Sequence, residues 1–197
     1  MKIKICGITN LEDALLSIKA GADALGFVFY KPSPRYISPE DALEIIEQLP
    51  PFVERVGLFV NKDAKSVNKI SKDAKISLAQ IHFDAQKEFY EQLEIAHIKV
   101  VRAKNRDDIN KYSDEYRLVD AYHEAYGGSG KRLNLEYFKD VDCSKIILAG
   151  GLDSKNLHTL KSFGFYGVDV SSGTEVSYGK KSPQKVNDFI IEAKKIG

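Results

Sequence analysis

Short apolar runs alternate along the whole chain with longer segments in which apolar residues recur at a helical period. This alternation is typical of repeated βα units, in which parallel strands are joined by helical crossovers. The runs are almost continuously apolar, as expected for strands that are covered on both faces. The pattern predicts eight strands, at residues 3–6, 24–29, 55–60, 78–82, 98–103, 117–120, 145–149 and 167–170.

Capping residues mark several helix boundaries. Asn10 precedes the helical segment 11–20, and Gly21 follows it, where a left-handed residue ends many helices. Two Ser-Pro pairs, at residues 38–39 and 182–183, each place a capping hydroxyl before a proline in the first helical position. These signals predict helices after the first, second and eighth strands.

Eight parallel strands form either an open doubly wound sheet or a closed barrel, because both use right-handed crossovers. Polar or reactive residues end most of the predicted strands, and in a barrel these ends converge on one mouth. They are Cys6, Asn61, His82, Arg102, Asp120, Gly150, Gly151 and Asp169. We therefore expect an α/β fold in which residues 1–197 form a single (β/α)8 TIM barrel domain. Because such barrels usually need about 200 residues or more, the loops should be short.

The charge balance narrows the range of partners. With 29 Lys and Arg residues against 28 Asp and Glu, the formal net charge is +1, which offers no global field for nucleic acid or an anionic membrane. No apolar run approaches the roughly 20 residues of a membrane span, and the N-terminus lacks the apolar core of a signal peptide. Two cysteines indicate no disulfide framework, and no Cys/His cluster has zinc-site spacing. We expect a cytoplasmic protein without a metal or an obligate protein partner.

Two consecutive strands run into turns of small residues. Gly150 and Gly151 follow the seventh strand, and Ser171, Ser172 and Gly173 follow the eighth. Backbone N–H groups in such turns can approach a phosphate closely, and (β/α)8 barrels commonly bind phosphate there. Glycines that merely permit tight turns are the alternative. Two such turns in succession favour a phosphorylated small molecule as the ligand.

Cys6 and Asp120 are the candidates for acid–base chemistry. A thiolate at Cys6 is a competent base or nucleophile, although a free thiol ionises near pH ~8.5 and needs help from its surroundings. A cysteine that serves only as a small apolar residue is the alternative. Asp120 ends an apolar run, where desolvation would raise its pKa and let it act as a general acid. Capping the next turn or pairing with a lysine fits its position equally well.

Arg35 and His82 are candidate substrate contacts. Arg35 lies in a loop stiffened by Pro32 and Pro34, where its guanidinium can bind a carboxylate or phosphate through two parallel hydrogen bonds. An exposed surface arginine is the alternative. His82 ends the fourth strand and is either a ligand contact or a histidine satisfied by its neighbours. Asp169 lines the mouth on the eighth strand, and its role is open.

Taken together, these segments resemble the phosphoribosylanthranilate isomerase family of tryptophan biosynthesis. The matching motifs run in order through the chain: KICGIT (4–9), GADALGFVF (21–29), SPRYIS (33–38), VGLFVN (56–61), GGSGK (127–131), AGGL (149–152) and VDVSSGTE (168–175). The fourth strand departs from the family, whose motif there is Gln-Leu-His-Gly, because Phe83 follows His82. This departure bears on the backbone path after the fourth strand and on the pose of His82, but not on the acid and the base. Residues 121–125 also match poorly.

The resemblance implies an Amadori rearrangement of N-(5'-phosphoribosyl)anthranilate to 1-(2-carboxyphenylamino)-1-deoxyribulose 5-phosphate, without a cofactor. It implies that Cys6 is the general base and Asp120 the general acid. It also implies that Arg35 steadies the anthranilate end, while the last two turns hold the phosphate.

Two alternatives remain at this point. One is another phosphate-binding barrel enzyme related to indole-glycerol-phosphate synthase, which typically relies on a catalytic lysine and glutamates in the mouth. No predicted strand here ends in lysine. The other is a non-catalytic barrel that only binds a sugar phosphate, which leaves Cys6 and Asp120 without a role.

Overall fold

Eight parallel strands close into a barrel in chain order in the computed structural model, which describes residues 1–121 and 133–196. The strands are β1 (Lys2–Cys6), β2 (Ala24–Val28), β3 (Glu54–Phe59), β4 (Leu78–Ile81), β5 (His97–Ala103), β6 (Arg117–Ala121), β7 (Ile146–Leu148) and β8 (Gly167–Val170). All eight predicted strands are present, and each end agrees with its predicted position to within one residue. The predicted (β/α)8 barrel is therefore confirmed.

The first and last strands of the barrel pair directly. β1 lies between β2 and β8, with Cys6 opposite Gly26 on one side and Lys4 opposite Asp169 on the other. Side chains alternate along a strand, so Ile3 and Ile5 face outward into the main core, while Lys4 and Cys6 face the barrel interior. The register at this seam thus aligns polar side chains from both ends of the sequence.

The helices surround the barrel and vary greatly in length. In the described ranges they are α1 (Leu11–Ala20), α2 (Pro39–Ile46), α3 (Ala64–Asp73), α4 (Lys87–Glu91), α5 (Arg106–Ile109) and α6 (Pro183–Ile196). Three short 3-10 segments, Leu135–Phe138, Leu157–Leu160 and Ser172–Thr174, accompany the last strands. Short helices thus account for much of the small size of the barrel, since α4 has five residues and α5 has four. None of these helices has the length and apolarity needed to cross a membrane.

The caps predicted at Asn10, Gly21 and Ser38 are present. The Asn10 side chain accepts a hydrogen bond from the Asp13 N–H at 2.9 Å, and Gly21 ends α1 in the left-handed conformation. Ser38 caps α2 in the same manner, because its hydroxyl oxygen accepts a hydrogen bond from the Asp41 N–H at 3.0 Å. Such side-chain caps satisfy N–H groups that a helix itself leaves unpaired.

A small hairpin that the sequence pattern did not predict follows β8. It pairs β9 (Glu175–Ser177) with β10 (Lys180–Lys181), antiparallel, before α6 begins. The hairpin folds back over the end of β1, because the Thr9 hydroxyl donates to the Gly179 carbonyl at 2.6 Å. It thereby brings Glu175 and Lys181 into the buried region beside the barrel mouth.

Candidate active site

The predicted polar residues at the mouth lie close together. Cys6, His82, Asp120 and Asp169 are each at least nine-tenths buried, and they come from β1, the end of β4, β6 and β8. The His82 Nε2 and Asp120 Oδ2 atoms are 3.7 Å apart, which is too long for a hydrogen bond. Burial of several ionisable groups in one place is the usual condition for strongly shifted pKa values.

An ion pair at the β1–β8 seam is the centre of this group. The Lys4 ammonium donates a hydrogen bond to Asp169 Oδ1 at 2.9 Å, and both side chains are buried. A role for Lys4 was not predicted from the sequence, although the alternation of side chains along β1 is a signal that indicates one. A lysine two positions before Cys6 has to share the interior face of the strand with it.

Space for the Cys6 sulfur is made by Gly26 on the neighbouring strand. A Cβ at residue 26 would lie 2.6 Å from Cys6 Sγ, so a larger residue there would displace the thiol. Burial raises the pKa of the Cys6 thiol, and the positive charges of Lys4 and Lys181 oppose that rise without cancelling it. Two positive charges that favour the thiolate are therefore present, but burial has the larger effect on the pKa of Cys6.

Asp120 has the properties of an acid poised near neutrality. Burial and the negative charge of Asp169 raise its pKa to about 7, against the opposing effects of the Ala121 N–H, Arg102 and Lys4. A carboxyl with this pKa is largely protonated below neutral pH and can donate its proton in that form.

His82 is neutral in this environment. Burial, together with the charges of Arg102 and Lys4, lowers its pKa to about 3. Its Nδ1 atom lies 3.4 Å from the Nε2 atom of Gln80 on β4. A neutral imidazole can orient a substrate by hydrogen bonding, but it adds no positive charge next to Asp120.

Arg35 is part of a buried network rather than an exposed surface residue. Its Nε and one terminal nitrogen donate to the two oxygens of Glu175 at 2.8 and 2.7 Å. Lys181 also binds Glu175, at 3.1 Å, and donates to the backbone carbonyl of Cys6 at 2.6 Å. Roles for Glu175 and Lys181 were not predicted from the sequence, because the hairpin that carries them was not predicted. The network ties the Arg35 loop, the hairpin and the end of β1 together.

The two predicted phosphate turns are in contact with each other. A Cβ at Gly173 would lie 2.0 Å from the backbone oxygen of Leu152, in the turn that Gly150 and Gly151 begin. Both of those glycines have positive φ, 90° and 62°. The turns after β7 and β8 therefore form one continuous backbone surface. The GGSGK motif at residues 127–131 lies outside the described residues.

Comparison with known proteins identifies the family. The family model described as N-(5'phosphoribosyl)anthranilate (PRA) isomerase matches residues 3–192. The N-(5'-phosphoribosyl)anthranilate isomerase of Sulfurovum sp. (strain NBC37-1) is 59% identical over 196 residues, covering 100% of both chains. The chain belongs to the phosphoribosylanthranilate isomerase family. Its members catalyse an isomerisation of tryptophan biosynthesis, and this chain is therefore an enzyme.

Solved structures of the family share the fold over their full length. The phosphoribosyl anthranilate isomerase of Thermus thermophilus superimposes with a TM-score of 0.90 at 33% identity, with 100% of both chains covered. A phosphoribosyl anthranilate isomerase in complex with reduced 1-(o-carboxyphenylamino)-1-deoxyribulose 5-phosphate gives a TM-score of 0.85 at 38% identity, with 99% of each chain covered. That relative therefore binds a phosphorylated small molecule in a barrel of the same fold.

Phe83, the departure from the isomerase family motif, packs against α4. Its ring meets that of Phe89 edge to face, with centroids 5.3 Å apart, and Phe89 contacts Tyr90 in the same way. Phe83 is not among the residues with positive φ, so the backbone there accepts a side chain without strain. In this isomerase the aromatic ring anchors the five-residue helix α4.

The buried network of this isomerase can be tested through stability. We expect Glu175→Gln to lower the free energy of unfolding by about 3 kcal/mol or more, because it leaves Arg35 and Lys181 without their shared anion. Glu47→Gln breaks an ion pair of similar length, 2.7 Å to Lys75, at an exposed site and should cost no more than about 1 kcal/mol. Denaturant unfolding measures both changes, and equal losses would contradict the structural role of the network.

Proposed function

We propose that this family member isomerises N-(5'-phosphoribosyl)anthranilate to 1-(2-carboxyphenylamino)-1-deoxyribulose 5-phosphate with Asp120 as general acid and Cys6 as general base. The observation that carries this assignment is a carboxyl with a pKa near 7 and a thiol, both beside the ion pair of Lys4 and Asp169. β1 and β6 are separated by β7 and β8 around the barrel. The acid and the base therefore approach one bound sugar from different sides.

Ring opening is the first proposed step. Asp120 gives its proton to the ring oxygen of the ribose while the bond between that oxygen and C1 breaks. The lone pair of the anthranilate nitrogen, which keeps its hydrogen, forms a double bond to C1, and this leaves an open-chain protonated Schiff base and the carboxylate of Asp120. A positioned acid of matched pKa typically contributes about 10²- to 10⁴-fold to such a step.

Proton abstraction is the second proposed step. The Cys6 thiolate removes the proton from C2, and the electron pair of that C–H bond forms the C1–C2 double bond of an enolamine. The electrons of the C1–N double bond return to nitrogen. The Cys6 thiol then gives its proton to C1, and the Asp120 carboxylate takes the proton of the C2 hydroxyl. These transfers give the ketone and restore the acid form of Asp120 and the base form of Cys6.

The remaining predicted residues would bind the substrate. Arg35 donates two hydrogen bonds to Glu175. We propose that its remaining N–H groups face the anthranilate carboxylate. His82, neutral at working pH, would donate or accept a hydrogen bond near Asp120. Asp169 acts through its charge, since it raises the pKa of Asp120.

The phosphate would lie on the joined turns formed by Gly150, Gly151, Ser171, Ser172 and Gly173. We expect Gly173→Ala to weaken phosphate binding roughly tenfold, because the new methyl group would force the two turns apart. Gly164→Ala is the matched control, since its Cβ meets no atom within 4 Å although its φ is 68°. Calorimetric titration with inorganic phosphate measures the effect, and equal affinities in both variants would remove this turn from the binding site.

The proposal treats residues 1–197 as one domain, because β1 and β8 close the barrel from distant parts of the sequence. It requires a phosphorylated small molecule and no cofactor, nucleic acid or obligate protein partner. We place the reaction in the cytoplasm.

The direct test is a turnover assay. Purified protein mixed with freshly generated N-(5'-phosphoribosyl)anthranilate should abolish the fluorescence of that compound and release the open-chain ketone. Formation of an indole instead would identify a synthase-like barrel. Binding of the substrate without loss of fluorescence would identify a non-catalytic barrel, and either result would overturn the proposal.

A further inference from the structure

Lys4 is a buried cation that the proposed reaction steps do not use. Its residue exposure is 7%, and its ammonium group is held at 2.9 Å by Asp169, the residue directly opposite in the β1–β8 register. Burying a lysine and an aspartate carries a large desolvation penalty, which their mutual attraction has to offset. A barrel interior could hold apolar side chains at both positions, so the pair calls for a role beyond packing.

The charged groups around Cys6 come from four parts of the chain. Lys4 is on its own strand, Asp169 is on β8, Lys181 is on β10, and Arg35 is in the loop after β2. Lys4 exerts the largest charge effect on the thiol and also interacts with it as a hydrogen-bond donor, and both effects lower the pKa of Cys6. The Cys6 interaction in turn raises the pKa of Lys4.

The groups around Asp120 include the same ion pair. Asp169 raises the pKa of Asp120 more strongly than any other charge, whereas Arg102 on β5 and Lys4 lower it. His82 also faces Asp120, at 3.7 Å. One ion pair therefore acts on both groups of the proposed reaction, with its cation dominant at the thiol and its anion dominant at the carboxyl.

We propose that Lys4 is a positioning residue whose buried ammonium, fixed by Asp169, stabilises the Cys6 thiolate while holding the Asp169 carboxylate in place beside Asp120. The pair favours ionisation of the base and protonation of the acid, which are the two forms that the reaction needs at the same moment. This inference rests on the proposed roles of Cys6 and Asp120.

The test compares three variants in two measurements. Lys4→Met should raise the thiol pKa of Cys6 by about one unit or more and should lower kcat/KM. In the plot of kcat/KM against pH, the carboxyl limb set by Asp120 and the thiol limb set by Cys6 should both move to higher pH. Lys4→Arg keeps the charge and should keep both limbs near their natural positions. The thiol is titrated by thiolate ultraviolet absorbance, taken as the difference between each protein and its Cys6→Ala counterpart.

The double variant Lys4→Met/Asp169→Asn guards against loss of folding, because it leaves neither charge buried alone. Here the thiol limb should still move to higher pH, while the carboxyl limb should move to lower pH, since Asp169 is the stronger charge at Asp120. A purely structural role of Lys4 would lower activity at every pH and move neither limb. Lys2→Met is the matched control, because Lys2 is exposed on the same strand and pairs with Asp23 at 2.7 Å.

Unchanged thiol titration in Lys4→Met and in the double variant would overturn this inference. The thiol titration needs no substrate, so it remains decisive even if the proposed isomerisation fails. Conversely, loss of turnover in Cys6→Ala together with unmoved limbs in the Lys4 variants would retain the proposed function and reject the role of Lys4.

Discussion

Replacing Cys6 by alanine should lower kcat/KM by about 10²- to 10⁴-fold, because a methyl side chain cannot take the proton from C2. Binding of inorganic phosphate should stay within about twofold of the natural protein, since the thiol does not contribute to the turns after β7 and β8. Steady-state kinetics and calorimetric titration separate these two effects.

Cys143 provides the matched control for this experiment. It is also buried, and burial raises its pKa to about 11. Its carbonyl accepts hydrogen bonds from the N–H groups of Ile146 and Tyr166, which places it at the opposite end of the barrel from the mouth. Cys143→Ala should retain turnover, and near-normal turnover in Cys6→Ala would end the assignment of the base.

Asp120→Asn should lower kcat/KM by a similar factor, because an amide cannot give a proton to the ring oxygen. The exposed Asp73→Asn, on α3, is the control and should change nothing. Substrate binding should persist in Asp120→Asn, so the loss should fall on kcat. Unaltered kcat would contradict the role of Asp120 as the acid.

The pH profile provides a second test of Asp120. The productive form has Asp120 protonated and Cys6 ionised. Because the pKa of Asp120 is about 7 and that of the Cys6 thiol is raised, this form is the minor one of the two states in which the pair shares a single proton. The kcat/KM of the natural protein should rise as pH passes about 7 and fall once the thiol ionises. In Asp120→Asn the limb near pH 7 should vanish, and residual activity should rise only with thiol ionisation.

Stability should change in a matching way. The folded-state pKa of Asp120 lies above its unfolded value of about 3.9, so this carboxyl destabilises the fold increasingly as pH rises from about 4 to 7. An asparagine carries no such penalty. The stability of Asp120→Asn relative to the natural protein should therefore grow by a few kcal/mol over that interval and then level off, as measured by denaturant unfolding at several pH values.

The strands and caps were predictable because their signals are local. Each barrel strand is an apolar run a few residues long, and the cap at Asn10 acts on Asp13, three positions away. The convergence of Cys6, Asp120 and Asp169 also followed from strand ends, since parallel strands in a barrel share one mouth.

The buried charge network was not predictable because its contacts join distant segments. Arg35 and Glu175 are 140 positions apart, and only the hairpin after β8 brings them together. A bidentate pair of this kind leaves no periodic trace in the sequence. The environment of Phe83 was likewise hidden, because its aromatic contacts depend on how the short α4 packs.

The proposed active site can be completed only after the last barrel strand has been synthesised, because β1 pairs with β8. Lys4 and Asp169 are 165 positions apart and meet only when β1 pairs with β8. A nascent chain that has not yet been synthesised through β8 holds the thiol of Cys6 beside an unpaired edge of β1, with neither the ammonium–carboxylate pair nor the second of the two predicted phosphate turns complete. Catalytic turnover is thus a natural reporter for the final stage of folding, and fragments that stop short of β8 should be inert until they are complemented by the missing strand.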